Sequence, residues 1–291
     1  MEADPVVSLP VQLLTLEGNC CRLEPEVPDA VAVEAPLEIR VDGRSIAVIM
    51  RSPGRDRELA AGFLLSEGVI ASPQDLFDVS VCPAAAPGGG VVDVLVTNPE
   101  GIDFDRLTRH VFTASSCGVC GKTSMEAALA VHPPLAPPDG PWCDAAVLFQ
   151  LPERQRAAQT SFDRTGGQHA AALFSRTGEL MALEEDVGRH NAVDKITGSA
   201  LLSGRWPLDD AILLLSGRAS FELIQKALAA RIPMVCSIGA PSSLAVSLAA
   251  SAGITLCGFL RSHRANAYTH PERLRLTATG GAASASPAPL P

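Results

Sequence analysis

The sequence predicts two joined folding units: an α+β unit over residues 26–110 and an α/β sandwich over 111–275, with tails at 1–25 and 276–291. Three observations carry this reading. In the first third of the chain, short β-type runs pair up on either side of one helical pattern. Beyond about Val111, helical patterns of roughly 10 to 15 residues alternate with brief apolar strands, which implies a largely parallel sheet covered by helices. The closing stretch, GGAASASPAPLP, has the composition of a segment that cannot build a core.

In the first unit, Ala35–Val41 and Arg44–Met50 alternate as strands do. Asp42-Gly43 between them is a strong hairpin signal, because glycine accepts a positive φ. A helix follows from Arg57 to Val69, with Asp56 as its N-cap and Leu59, Phe63 and Leu64 on one face. Phe77–Cys82 and Val91–Thr97 complete a strand–strand–helix–strand–strand order, separated by the loop PAAAPGGG. In the second unit, Thr123-Ser-Met-Glu126 fits a capping box that opens a helix through Val131. After HPPLAPPDGP a helix runs through Ala145–Gln150 and beyond. Strands Ala170–Phe174 and Leu180–Leu183 flank a turn at Gly178. Helix Ala192–Leu202, strand Ala211–Leu215, helix Phe221–Ala230, strand Met234–Ser237, helix Ser242–Ala252 and strand Thr255–Phe259 follow.

Bulk composition narrows the function. Hydrophobic residues are 47%, charged residues 19% and aromatics only 4%, so the core must be aliphatic. A net charge of −9 argues against a general nucleic-acid binder, which needs a cationic surplus on its binding face. It leaves room for a local basic pocket. No apolar run reaches the ~20 residues a bilayer requires, and the N-terminus lacks the pattern of a secretion signal. A cytoplasmic protein with no membrane partner is therefore expected, its eight cysteines mostly thiols.

Four segments are poor choices for plain structure. The first is Ser115-Ser-Cys-Gly-Val-Cys-Gly-Lys-Thr123, which sets Cys117 and Cys120 among glycines, before a helix N-terminus and beside Lys122. Both neighbours favour the thiolate. A single CxxC is open to several readings: a sulfur relay through a persulfide, a redox pair, half of a zinc site, or two incidental thiols. In the second, Thr165-Gly-Gly-Gln-His-Ala-Ala171, paired glycines let a ligand approach beside His169. The third is Glu184-Glu-Asp-Val-Gly-Arg-His-Asn-Ala-Val-Asp-Lys195, where a strand gives way to a helix. Its acids suit a helix N-terminus, but Arg189-His190-Asn191 do so only if they face an anion. The fourth comprises the turns Ser216-Gly-Arg-Ala-Ser220 and Ser237-Ile-Gly-Ala-Pro-Ser-Ser243 and the run Phe259-Leu-Arg-Ser-His-Arg264. Turns of this kind expose amides to phosphate, so Gly217 and Arg218 are candidates, as is the Arg261–Arg264 cluster. Glu222 and Lys226 are spaced to pair along the intervening helix. Absence of GxGxxG and of a lysine-bearing P-loop argues against a routine NAD or ATP enzyme.

These segments in this order resemble the formate dehydrogenase accessory sulfurtransferase family, FdhD, from about Glu34 to Tyr268. EDVGRHNAVDK, LLLSGRASFELIQKA and CGFLRSHRANAY are the most specific stretches. The resemblance implies a ubiquitin-like roll joined to a cytidine deaminase-like α/β unit, assembled as a homodimer. It implies a sulfur carrier that takes sulfur from a cysteine desulfurase as a persulfide on Cys117, with Cys120 as the second thiol. The sulfur then passes to molybdenum bis(molybdopterin guanine dinucleotide) before that cofactor enters formate dehydrogenase. The family's cofactor-binding run maps onto Phe259, Leu260, Arg261, Ser262, His263 and Arg264, and GDP-like nucleotides suit the same site. Gly217, Arg218, His169 and Arg189 are expected to stand beside it, with no metal ligands in the chain itself. The deaminase likeness concerns fold alone, because no H-x-E with a following P-C-x-x-C is present.

Overall fold

The structure, a computed structural model, describes residues 4–82, 89–102, 104, 121–136 and 139–276. Cys117, Cys120, most of the PAAAPGGG loop and the expected C-terminal tail after Leu276 lie outside the described residues.

The first difference from expectation is at the N-terminus. Where a tail was expected over 1–25, β1 (Val6–Glu17) and β2 (Cys20–Ala32) form a long antiparallel hairpin. Pro10, Pro25 and Pro28 disguise this alternation in the sequence. Each strand of an isolated ribbon has a free edge, where a missing N–H costs no ladder bond, and Pro10 faces Pro28 in register.

The next unit matches the expected order. Strands β3 (Ala35–Val41), β4 (Arg44–Arg51), β5 (Leu76–Cys82) and β6 (Gly90–Val96) form a sheet of order β4-β3-β6-β5. Its central pair, β3 and β6, is parallel. Helix α1 (Asp56–Ser66) covers one face with Leu59, Phe63 and Leu64, packed on Leu37, Ile39, Val92 and Val94. Its N-cap is Arg55 at φ 60°, not Asp56. Asp56 instead starts the helix and receives two 2.8 Å hydrogen bonds from the buried Arg51 guanidinium.

The remaining elements build a three-layer unit. They are α2 (Gly121–Val131), β7 (Cys143–Asp144), α3 (Ala145–Leu148), α4 (Leu151–Ala158), α5 (Thr160–Thr165), β8 (His169–Ser175), β9 (Leu180–Asp186), α6 (Arg189–Leu202), β10 (Ala211–Leu215), α7 (Phe221–Ala229), β11 (Met234–Ser237), α8 (Ser243–Ala252), β12 (Thr255–Gly258), β13 (Asn266–Thr269) and β14 (Leu274–Arg275). Helix α2 begins at Gly121, so Thr123 lies inside it and the capping box expected at Thr123–Glu126 does not open it. Ser242 does cap α8, accepting from the Ala245 amide.

The main sheet runs β13-β12-β11-β10-β8-β9. It is mixed rather than largely parallel. Only β10–β11 and β11–β12 are parallel, whereas β8–β9, β8–β10 and β12–β13 are antiparallel. The connections explain this: a tight turn at Gly178 (φ 81°) joins β8 to β9, and tight turns permit only antiparallel neighbours. Strand β10 is buried throughout, with Leu213 and Leu215 facing α6, α7 and α8 while Ile212 and Leu214 face α3 and α4.

The two units meet where α1 crosses α6. A Cβ on Gly198 would lie 1.8 Å from the Glu58 carbonyl oxygen, and one on Gly62 would lie 2.0 Å from that of Asp194. Two glycines therefore set how closely these helices approach. Beside the crossing, Lys226 forms a buried ion pair with Asp194 at 2.8 Å, and Ser66 donates to the same carboxylate. The expected Glu222–Lys226 pairing is absent, because Lys226 turns inward to Asp194.

Candidate functional site

In the main sheet, β10, β11 and β12 end at one edge, and β8, running the other way, begins there with His169. Carboxyl ends of parallel strands are where α/β sheets bind ligands. This edge brings together most of the residues singled out in the sequence. The turns are cross-braced: Gly239 N donates to Gly217 O, Phe259 N to Gly239 O, and Leu260 N to Ser237 O. Gly239 has to lack a side chain, since a Cβ would sit 2.9 Å from Gly217 O and from the Arg218 amide nitrogen. The bracing also uses the Ala219 and Arg261 amides, so the turns present fewer free donors than their sequence suggests. Gly217 would set a Cβ only 3.5 Å from the His169 ring, so its lack of a side chain keeps that ring open to the edge.

The run after β12 divides by role. Phe259 adopts φ 52° without being glycine, a conformation that costs energy and is held by the surrounding turn. Leu260 is fully buried and belongs to the core. Arg261 folds back so that Nη1 donates to the Ile238 and Leu260 carbonyls at 2.7 and 2.8 Å. Ser262, His263 and Arg264 are exposed, and the Arg264 carbonyl closes the turn by accepting from Arg261 N.

A cleft of about 730 Å³ opens at this edge, within the size range of small-molecule sites. His169, Ser216, Ile238, Leu260, Arg261 and Ser262 form its sheet side. The opposite wall, missed by sequence reasoning, comes from α4 and α5. Gln155 is buried and spends Nε2 on the Leu214 carbonyl. Gln159, also buried, makes no side-chain hydrogen bond with another described residue. Arg156, ion-paired with Asp163, lies over the Phe162 ring at 4.7 Å, giving that wall a flat stacking surface. Two glutamines four apart, one on α4 and one at the junction of α4 and α5, were the available signal.

Arg189 and His190 open α6 on the other face of the same edge. The first turn of α6 contains no acid, and Arg189 Nε is buried without a hydrogen-bond partner among the described residues. The Glu222 carboxylate is within its electrostatic reach, and a cation at the positive end of a helix is a position a further anion would stabilise. His190 contacts Ser220 Oγ at 3.4 Å, and burial, with Lys226 and Arg189 nearby, pushes its pKa down to about 4. His169 shifts the same way through burial and Arg189, against the pull of Asp186. Burial works to raise the Glu222 carboxyl. Its own backbone amide, Ser220, His190 and Arg189 outweigh that and hold it low.

The acids of the segment Glu184–Lys195 do structural work. Glu185 accepts from the Ser161 and Phe162 amides at 2.8 Å and so caps α5, and Glu184 pairs with Arg55. Asp186 pairs with Lys195 at 2.7 Å, while Asn191 donates to Asp186 and to Met50 O.

Comparison with known proteins agrees with this architecture. A family model described as the FdhD/NarQ family matches residues 32–275. The sulfur carrier protein FdhD of Streptomyces coelicolor is 49% identical over 259 residues, covering 87% of this chain and 92% of that protein. The sulfur carrier protein FdhD of Mycobacterium tuberculosis is 49% identical over 258 residues, covering 85% and 92%. Among solved structures, one described as a formate dehydrogenase accessory protein from Desulfotalea psychrophila superposes with a TM-score of 0.70 at 27% identity. That match covers 92% of this chain and 99% of the other.

Proposed function

The chain belongs to the FdhD/NarQ family, and from that premise we propose that it is a sulfur carrier serving the maturation of formate dehydrogenase. Cys117 takes sulfur from a cysteine desulfurase. Its thiolate attacks the outer sulfur of the desulfurase persulfide, forming a new S–S bond on Cys117 and releasing the desulfurase cysteine as thiolate. Cys120 is the second thiol of the pair. The sulfur acceptor is molybdenum bis(molybdopterin guanine dinucleotide), held as cargo, and the carrier works as a homodimer in the cytoplasm.

The observation that supports this reading best is the cleft itself. It offers two kinds of recognition at once. Arg261 and Ser262 stand at its sheet end, where arginine suits phosphate oxygens. At its other end, the spare amide atoms of Gln155 and Gln159 beside Phe162 suit a flat heterocycle that both donates and accepts. A cleft of about 730 Å³ has room for one nucleotide arm of such a cofactor. Arg189, with its orphaned Nε, fits further negative charge on the neighbouring face. Holding the cofactor by these remote groups would set its reactive centre relative to the sulfur donor. The ββαββ unit, with its parallel central pair, supports the ubiquitin-like description, and the helix-covered main sheet supports the deaminase-like one at the level of layers.

Intact-protein mass spectrometry after incubation with a cysteine desulfurase and cysteine tests the carrier step. Wild type should gain about 32 Da per persulfide, and Cys117→Ala should not. A folded wild type that gains no mass would leave a cofactor-holding protein as the better account. A Cys117→Ala variant that still carries sulfur would place the persulfide elsewhere.

A further inference from the structure

The site edge is held from outside the sheet by one residue of the N-terminal unit. Ser52 follows β4, is 1% exposed, and directs every polar atom it has into the C-terminal unit. Its amide donates to Asp186 Oδ2 at 3.1 Å, and its carbonyl accepts from Lys195 Nζ at 3.0 Å. Its hydroxyl lies 3.0–3.1 Å from both ends of the Gln168 side-chain amide and accepts from the Val187 amide at 3.2 Å. Gln168 immediately precedes His169 at the start of β8. Val187 is two residues before Arg189 at the start of α6. His169 and Asp186 face each other in register between β8 and β9. The Ser52 hydroxyl therefore ties together the two chain segments that aim His169 and Arg189.

We propose that Ser52 is a positioning residue for the cofactor site, acting through Gln168 on His169 and through Val187 on Arg189. The inference rests on the cofactor reading above and assigns the N-terminal unit a part in it: that unit sets the geometry of a cleft whose described lining residues all lie on the other unit. A buried serine serving only to join the units has a built-in comparator. Ser66, equally buried at 1%, donates from α1 to the Gly62 carbonyl and to Asp194 at 2.8 Å and bonds to neither Gln168 nor Val187.

Ser52→Ala removes only the hydroxyl bonds and leaves the backbone bonds to Asp186 and Lys195, so the chain should still fold. The test compares full-length wild type, Ser52→Ala and Ser66→Ala by calorimetric titration with GDP and by the His169 imidazole resonances in NMR spectra. The expected result is a loss of GDP affinity of roughly tenfold, the lower end of what losing a residue that orients a metal-ligating side chain costs, with displaced His169 resonances, in Ser52→Ala alone. Unchanged affinity and unmoved His169 signals in Ser52→Ala would overturn the proposal, as would equal losses in both variants. If wild type failed to bind GDP, the cofactor reading would fall, and the His169 resonances would still decide whether Ser52 positions that ring.

Discussion

Gly198→Ala sets two physical effects of opposite sign against each other. In an isolated helix, replacing an interior glycine by alanine stabilises by about 1 kcal/mol. At the α1–α6 crossing, the new Cβ would lie 1.8 Å from the Glu58 carbonyl oxygen, 2.6 Å from its carbonyl carbon and 2.8 Å from the Gly62 nitrogen. Ordinary contact needs roughly 3.5 Å, and the obstacle is backbone, so α1 and α6 have to separate by more than an ångström. Overpacking of this kind costs about 1–3 kcal/mol and occasionally more. Separation also stretches the 2.8 Å bond from Ser66 to Asp194. The overpacking should win, because the obstacle is backbone, with a net loss of up to about 2 kcal/mol and a Tm lowered by about 3 °C for a chain of 291 residues. Urea and thermal unfolding followed by circular dichroism measure it. A second substitution, Gly62→Ala, should cost less in the Gly198→Ala background than alone, since the helices are already apart. A Gly198→Ala chain as stable as wild type, or more so, would show that helix propensity governs this position and that the close crossing is not what glycine is for.

Other outcomes follow from buried charge and thiols. Lys226→Met leaves the Asp194 carboxylate buried without its cation and should destabilise by about 3–5 kcal/mol, whereas adding Asp194→Leu should recover most of that; equal stability of the two variants would refute the pairing. His190 has a folded-state pKa of about 4 against 6.5 for the free side chain, so between those values the unfolded chain binds the extra proton. Stability present above pH 6.5 should therefore drain away as pH falls toward 4, by at most about 3 kcal/mol. His190→Gln should flatten that part of the urea-midpoint profile, and an unaltered profile would mean that the ring is solvated. Native-state thiol labelling with peptide mapping should modify the exposed Cys20 and Cys21 quickly. It should spare Cys143, whose thiol burial pushes up to about 11, together with the buried Cys236 and Cys257, until the chain unfolds. Fast labelling of Cys236 would contradict the packing of β11 against α3 and α4.

What could be read from the chain alone was whatever depends on local chemistry. Asp42-Gly43 between two alternating runs specifies the β3–β4 hairpin, and the continuous apolar runs at 211–215 and 234–236 specify strands buried on both faces. Strand-to-helix turns of successive parallel strands must share one edge, so the meeting of the SGR turn with the FLRSHR run was also legible. Tertiary structure decided what depends on partners distant in sequence. Lys226 is spaced for Glu222, but burial makes the shielded Asp194 its partner. Gln155 and Gln159 look like ordinary helix residues until the sheet edge places the cleft beside them. The β1–β2 ribbon hides behind its prolines, because whether a missing N–H matters depends on which edges are paired. Ser52 is one serine among many in the sequence. Its place in the site exists only because β4 ends against residues 116 to 143 positions away, and short-range chemistry carries no record of contacts at that range.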